Sequence, residues 1–389
     1  CVTFSMLLAA STQIAVAGPG FVDATGVNGD TKRIPTFFAY SPSGMRDTAV
    51  PEEILLAPAQ GRPDGANFTG VPLRKFVDPL PLAGKANKKL MADGTEKYIP
   101  VAVASNWINP QGVTVTGQDY YELGIVEYTD RFHSDLTKAT TLRGYVQIDH
   151  LASNGHGRLP GSDAVPLFYP DTKDALGNTV AGAPIMIAAT DIRGKLTGGP
   201  KVQALAVDKP HFLGPVIAAT KDRPTRLKVL NLLPVGRALF TEGTKDAIDP
   251  LTGDLTTVPT FDVTNRRGDL FLPVDKSILG AGIGPDGMTE YTQNRASVHL
   301  HGGDTPWISD GTPHQWITPA GENDANVPGS LAADFNNVNG TLDPAMLSHF
   351  VKGASTANVP DMNDPGDGAM TMYFPNGQSA RVLWYHDHT

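Results

Sequence analysis

Two pairs of histidines, each pair separated by one residue, carry the most concentrated chemistry in this sequence. They are Val298-His299-Leu300-His301-Gly302-Gly303 and Leu383-Trp384-Tyr385-His386-Asp387-His388. Four of the 10 histidines lie in these two stretches, which a chance distribution would rarely produce. On a β-strand, side chains two apart point to the same face, so each pair aims two imidazoles into one space. Two such strands side by side would converge four ring nitrogens, and neutral imidazole suits copper, zinc, iron and nickel. Gly302 and Gly303 allow a tight bend or a close backbone approach next to a bound metal. The other histidines, His133, His150, His156, His211, His314 and His349, are unpaired and read as surface or internally satisfied residues.

The elements that must position these pairs read as strands. Tyr120–Tyr128 and Leu142–Ile148 are apolar and β-rich, Pro184–Ala189 is a short apolar run, and Phe212–Ile217 with Thr225–Leu233 forms a strand pair. In the last of these, Arg226, Lys228 and Asn231 interleave with Leu227, Val229 and Leu230, the pattern of a half-buried strand. Ser297–His301 is a short strand, and Arg381–His388 is the last one. Residues 150–200, 240–290 and 319–369 are polar and turn-rich, and Met362, Met370 and Met372 read as filler in a polar insertion. With 41 Gly, 32 Pro and only 18% charged residues among 389, the chain reads as all-β with large loops.

Composition also excludes several classes. The net charge is −9 and no Lys/Arg-rich run occurs, which argues against a nucleic-acid partner. No stretch approaches the length of apolar sequence needed to span a membrane. The one cysteine, Cys1, rules out a disulfide within the chain and zinc sites built on cysteine pairs. Phe4–Ile14 is a short apolar run that ends in Ala15-Val16-Ala17 before Gly18-Pro19-Gly20. This reads as the back half of a secretory signal peptide, residues 1–17, and predicts export to a periplasmic or extracellular space. A buried N-terminal strand or helix is the other reading of that run. Residues 18–70 read as an irregular extension.

The residues flanking the histidine pairs are more specific than the pairs themselves. HLHGGDTPWISDGTPHQW (His299 to Trp316) and ARVLWYHDHT (Ala380 to Thr389) closely resemble the first two copper motifs of multicopper oxidases, nearest to the bacterial spore-coat laccase and bilirubin-oxidase-like group. Leu73–Pro81 resembles the opening segment of that group, Tyr120–Tyr145 its first hairpin, and Phe212–Pro234 its following strand pair, in the same order. The resemblance implies a cupredoxin-like Greek-key β-sandwich over 71–389, a plastocyanin-like first domain with long loop insertions that stops short of its final strand. His299 matches a ligand of the type 2 copper, and His301, His386 and His388 match ligands of the binuclear type 3 pair. Together they are half of the histidines of a trinuclear copper site. The remaining ligands and the type 1 copper are expected only in a C-terminal part beyond Thr389. The implied activity takes single electrons from a reducing substrate and reduces dioxygen to water. The reductant stays open between phenols, bilirubin-like pigments, cuprous ion and manganous ion.

Asp310, in Ser309-Asp310-Gly311, matches a family acid near the type 2 copper that helps move protons; a turn aspartate ahead of glycine is the other reading. Trp307, Trp316 and Trp384 read as packing residues around the copper strands. One departure is spacing. His301 and His386 lie 85 positions apart, longer than the family pattern, so an inserted loop must leave and rejoin the strands without disturbing them. Two other function classes remain: an exported copper-binding or copper-tolerance protein without turnover, and a mononuclear cupin-type dioxygenase. A cupin would require a glutamate and a further histidine soon after the first pair, and Glu322 has no histidine close to it.

Overall fold

A computed structural model describes residues 76–236 except 135, 137–138 and 174–177, and residues 291–389 except 328 and 334–343. It also describes 284–285, a hairpin of Phe240–Ile248 with Leu255–Phe261, and the short paired strands Phe21–Asp23 and Arg33–Pro35. The signal-like segment 1–17, most of the 18–70 extension and the start of the 73–81 motif lie outside the described residues.

The protein is all-β, as its punctuation by glycine and proline leads one to expect. The strands that matter for the site are β1 (Ser105–Ile108), β2 (Thr114–Asp130), β3 (Thr140–Gln147), β4 (Thr225–Asn231), β5 (Val298–His301), β6 (Ala369–Phe374) and β7 (Trp384–Asp387). Among the described residues, helix is limited to short pieces such as α1 (His150–Ser153) and α2 (Pro344–Val351). Among the described residues no helix is long and apolar enough to cross a membrane.

β2 organises the main sheet because its 17 residues are long enough to serve several neighbours. On one edge, β1 pairs with its first half and β3 with its second, both antiparallel. On the other edge β4 runs parallel to residues 119–125, and β6 closes the sheet antiparallel to β4. The alternation of side chains then gives two chemically different faces. Tyr121, Leu123, Leu227, Val229, Met370, Met372 and Phe374 form the inner face, and Val298 on β5 joins the same core with Leu300 and Tyr385 packed against it. The strands that carry the histidine pairs, β5 and β7, therefore form a second layer whose apolar underside rests on the main sheet.

The outer face is covered as well. Ile148, Leu167, Ile185, Ile187, Ala204 and Ala206 pack on Val126, Val146, Leu230 and Ala369. This corrects the half-buried reading of β4: all seven of its residues are buried, charged ones included. Arg226 makes a forked pair with Asp361 at 2.6 and 2.7 Å and sits over the Trp107 ring at 3.7 Å. Lys228 and Glu122, neighbours across the parallel β4–β2 pair, approach to 3.7 Å at 4% and 2% exposure.

Other expectations need adjusting. Met370 and Met372 lie on β6 and are buried, not in a polar insertion, because their partners Val229 and Leu227 place them on the inner face. Phe212–Ile217 is not a strand and makes only a bridge from Val216 to Val101. Pro184–Ala189 shrinks to Met186–Ile187, paired with Val202–Gln203. The last strand begins at Trp384, since Val382, 99% exposed, has no core to meet. The 240–290 stretch contains the hairpin named above.

The buried pair generates a stability prediction. Desolvation works to raise the Glu122 carboxyl, but Lys228, His150 and the Tyr120 hydroxyl outweigh it and hold the group below the ordinary value of 4.5. A lowered folded value means stability that is present above the unfolded value and lost as pH falls through the folded one. Lys228→Met strands the carboxylate and should cost about 3–5 kcal/mol. Glu122→Gln combined with Lys228→Met should recover most of that and flatten the acid side of the stability curve, as read from urea unfolding at pH 3 to 7. Equal losses in the single and double variants would show that the pair is not energetically coupled.

Candidate metal centre

β5 and β7 pair antiparallel with His299 opposite His386 and His301 opposite Trp384. The ladder continues one step further through a hydrogen bond from the His388 N–H to the Ser297 carbonyl, 3.0 Å. Directly opposed residues share a face, so His299, His301, His386 and His388 all stand on one side with Trp384. Val298, Leu300 and Tyr385 take the core side. The Tyr385 hydroxyl donates to the Pro215 carbonyl at 2.6 Å and fixes the underside of β7.

His299 is the hub. Its ring centre lies 5.8 Å from His301, 5.5 Å from His386 and 4.5 Å from His388, on which it stacks. His299, His301 and His386 each offer a ligand atom within 4.8 Å of the other two. His301 Nδ1 and His386 Nε2 are 3.3 Å apart. Two nitrogens bound to one tetrahedral ion at ordinary metal–nitrogen distances stand about 3.3 Å apart, so this pair fits a single metal without backbone movement. His388 stays outside the three-residue group and lies against it by stacking.

Which ring nitrogen faces the centre is set by carbonyl oxygens, which can only accept. His299 Nδ1–H donates to the Asp310 carbonyl at 2.5 Å, and His388 Nδ1–H donates to the Gly311 carbonyl at 3.0 Å. His386 Nδ1–H donates to the Asp387 carbonyl at 2.7 Å. In the neutral ring each of these three therefore keeps a free lone pair on Nε2. His301 is different. Facing the lone pair of His386, its Nδ1 carries the proton in the absence of metal, and coordination would move that proton to Nε2.

The two carbonyls are held by a loop braced from several directions. Pro306 leads into a single 3-10 turn, Trp307–Ser309. Gln315, 1% exposed, donates to the Trp307 carbonyl at 2.8 Å and accepts from the Thr312 N–H at 3.0 Å. The buried Ser309 hydroxyl accepts from the Tyr373 N–H on β6 at 2.7 Å, tying the loop to the main sheet. Gly311 has φ +67, and a Cβ there would fall on the Val298 carbonyl, so the close approach of loop to strand requires glycine. Gly302, φ +82, makes the bend expected after His301.

Asp310 sits beside His299 as the sequence motif suggested, but its two ends act differently. The carbonyl orients the ring, while the carboxylate, 39% exposed, lies 3.8 Å from His299 Nδ1 and open to water. Asp387 ends β7 as an exposed residue, yet its carboxyl turns inward to accept from the Ser297 N–H at 2.8 Å. Desolvation there raises its pKa against the pull of the hydrogen bonds from Ser297, Thr389 and His388. Glu322, which a cupin would need as a ligand, is fully buried elsewhere and accepts from the Gly236 and Leu331 backbones and from Asn294.

The tryptophans divide. Trp316 is buried, as read, and Trp384 stacks on His386 at 4.2 Å and on His301 at 5.0 Å. Trp307 corrects the packing reading, being 68% exposed. Sequence reasoning missed Ser309, Gly311 and Gln315, whose roles run through backbone groups; the glycine after Asp310 was the available signal. It also missed that His211 and His150 each bury a ring nitrogen without a hydrogen-bond partner among the described residues. No protein-family profile matches the chain, and comparison with curated proteins finds no significant match.

Gly311 yields the sharpest test of this geometry. Gly311→Ala should destabilise the fold by about 2 kcal/mol or more, combining a positive φ with overpacking. It should also weaken divalent metal binding by about 10–100-fold through loss of the carbonyls that orient His299 and His388. Thermal melts and metal titration of the same preparation read both effects. Unaltered metal affinity in a destabilised variant would mean that the loop does not orient the rings.

Proposed function

We propose that this chain is the N-terminal part of a multicopper oxidase and supplies half the ligands of a trinuclear copper site. The observation that carries this reading is the β5–β7 register, which sets four imidazoles on one face with three tautomers fixed by carbonyls. The donor set is nitrogen only. Imidazole nitrogens suit copper or zinc and do not suit calcium or magnesium, which take oxygen. The resemblance of 299–316 and 380–389 to the copper motifs of that family, in family order, is the ground for proposing copper. The cupredoxin-like Greek-key topology and export from the cytoplasm belong to the same proposal.

Bound copper would supply the one-electron steps that couple oxidation of a reducing substrate to reduction of dioxygen to water. The part played by this chain is positioning. His299, His301, His386 and His388 would hold the metal with little rearrangement, because their rotamers are set by strand register, stacking and carbonyl acceptors. The face stays open, with His301 and Trp384 exposed on it. A cluster completed by a second set of histidines would need such a face. Dioxygen reduction consumes protons, and rings bound to metal cannot shuttle them. Asp310, whose carboxylate is exposed to water 3.8 Å from His299 Nδ1, would do so.

One observation favours a second reading. Three of the histidines alone form a compact group adequate for one ion, which would serve a copper-binding protein without turnover.

Titration of the refolded chain with cupric ion distinguishes these cases. Spin-echo spectra should show copper bound through imidazole nitrogen, and His386→Ala with His388→Ala should remove most of the binding. Unchanged copper stoichiometry in that double variant would overturn the assignment, and imidazole-bound copper in a complete protein without oxygen consumption would leave the binding protein standing.

Asp310→Asn provides a separate check in the complete enzyme. The substitution keeps the carbonyl that holds His299 and removes the ionisable group. Turnover should fall and its pH optimum shift while copper content is unchanged. Loss of copper, or native turnover at every pH, would reduce Asp310 to a turn residue.

A further inference from the structure

Three of the four histidines have a carbonyl that fixes the ring, and His301 has none. Among the described residues its ring meets no backbone acceptor, and its Nδ1 faces the His386 Nε2 at 3.3 Å. His301 is also exposed, so without another restraint its ring would lose rotamer freedom on binding an ion. What lies against it is Trp384. The two stand directly opposite in the β5–β7 ladder, and their rings stack with centres 5.0 Å apart and planes 23° from parallel.

The same indole reaches a second ligand. His386 follows Trp384 at the next position but one along β7, hence on the same face, and stacks on it at 4.2 Å and 24°. The His301 and His386 ring centres are 5.6 Å apart, so the three rings form a compact triangle. The indole therefore flanks the two imidazoles and does not come between them, and their nitrogens can still converge. Core packing does not account for this tryptophan. It is 58% exposed, and the core side of β7 belongs to Tyr385. A half-turn of the His301 ring about its Cβ–Cγ bond would keep the stack but put carbon where Nδ1 stands, losing the contact with His386. Stacking thus fixes the plane of the ring. The nitrogen–nitrogen contact, or an ion in its place, fixes which edge is presented.

We propose that Trp384 is a positioning residue of the candidate metal centre, its indole holding the His301 ring in the plane from which Nδ1 reaches an ion shared with His386 Nε2. The inference rests on the reading of these histidines as metal ligands. Stacking between two aromatic rings is weak by itself, but here it acts on a side chain that no carbonyl restrains. It orders His301 before the ion arrives, so that cost falls on folding and not on binding.

Zinc is a suitable probe, because it takes imidazole nitrogen and has no redox chemistry. In the full metal-free chain, NMR should show the His301 ring protons shifted upfield by the indole, and Trp384→Leu should abolish that shift. Long-range proton–nitrogen spectra of the zinc-loaded native chain should show His301 bound through Nδ1 with its proton on Nε2. By calorimetry, zinc affinity should fall roughly tenfold in Trp384→Leu, with His301 no longer held through Nδ1. Trp384→Phe, which keeps a ring in the stack, should restore both the affinity and the Nδ1 binding. Circular dichroism checks folding, and Trp384→Thr, suited to a strand, replaces the leucine variant if that one does not fold. Native affinity with Nδ1 binding in Trp384→Leu, or an equal loss in Trp384→Phe, would overturn the role of the indole and leave the ligands standing. A native chain that takes up no zinc, or takes it up without His301, would overturn the ligand reading and this inference with it.

Discussion

The two-residue alternation of β5 and β7 is the constraint on which the rest depends. The same register that puts four imidazoles on one face puts Val298, Leu300 and Tyr385 on the other, against the main sheet. A slip of one residue would expose these apolar side chains and drive the imidazoles into the core. The hydrophobic effect thus fixes which face the four imidazoles occupy without any help from a ligand. Carbonyl acceptors then refine it, turning three of the four rings about their own axes once the strand has chosen its side.

The two sides of the molecule differ in how completely they are enclosed. Above β5 and β7 the surface is open, with Trp384 58% exposed among the histidines. Below, β4 is sealed on both faces, and its charged residues find partners in Asp361 and Glu122 rather than in water. The segment 148–207 makes the difference, since it packs an apolar layer over what would otherwise be a solvated sheet face. Cavities follow from the same layering. Where that segment and the 83–103 region meet the sheet, irregular backbone leaves space that regular strands would fill.

Much of the fold was legible where alternation was clean. Tyr120–Tyr128, Leu142–Ile148 and Ser297–His301 are strands because their side chains alternate, or run apolar, across a pleat. Reading failed where tertiary cover decided the outcome. Arg226 and Lys228 look like solvent-facing residues until a distant segment buries them, and nothing within β4 announces that segment. Met370 and Met372 looked polar by association with their neighbours, although Ala369–Phe374 alternates correctly once paired with β4. At the site, the four histidines were visible because their spacing is local. The carbonyls of Asp310 and Gly311 that orient His299 and His388 act through the backbone, and no side-chain pattern marks them.

The long excursion between β5 and β7 can also be weighed as polymer physics. Bringing His301 and His386 together closes a loop of 85 residues, with an entropic cost on the order of 4 kcal/mol, which the apolar underside of two four-residue strands must offset. An ion gripped by both side chains would act as a cross-link, removing the open forms of that loop from the unfolded ensemble much as a disulfide does. In a chain whose single cysteine can form no such bridge internally, that clasp would make metal supply a determinant of how long the molecule survives, separate from any chemistry performed at the centre.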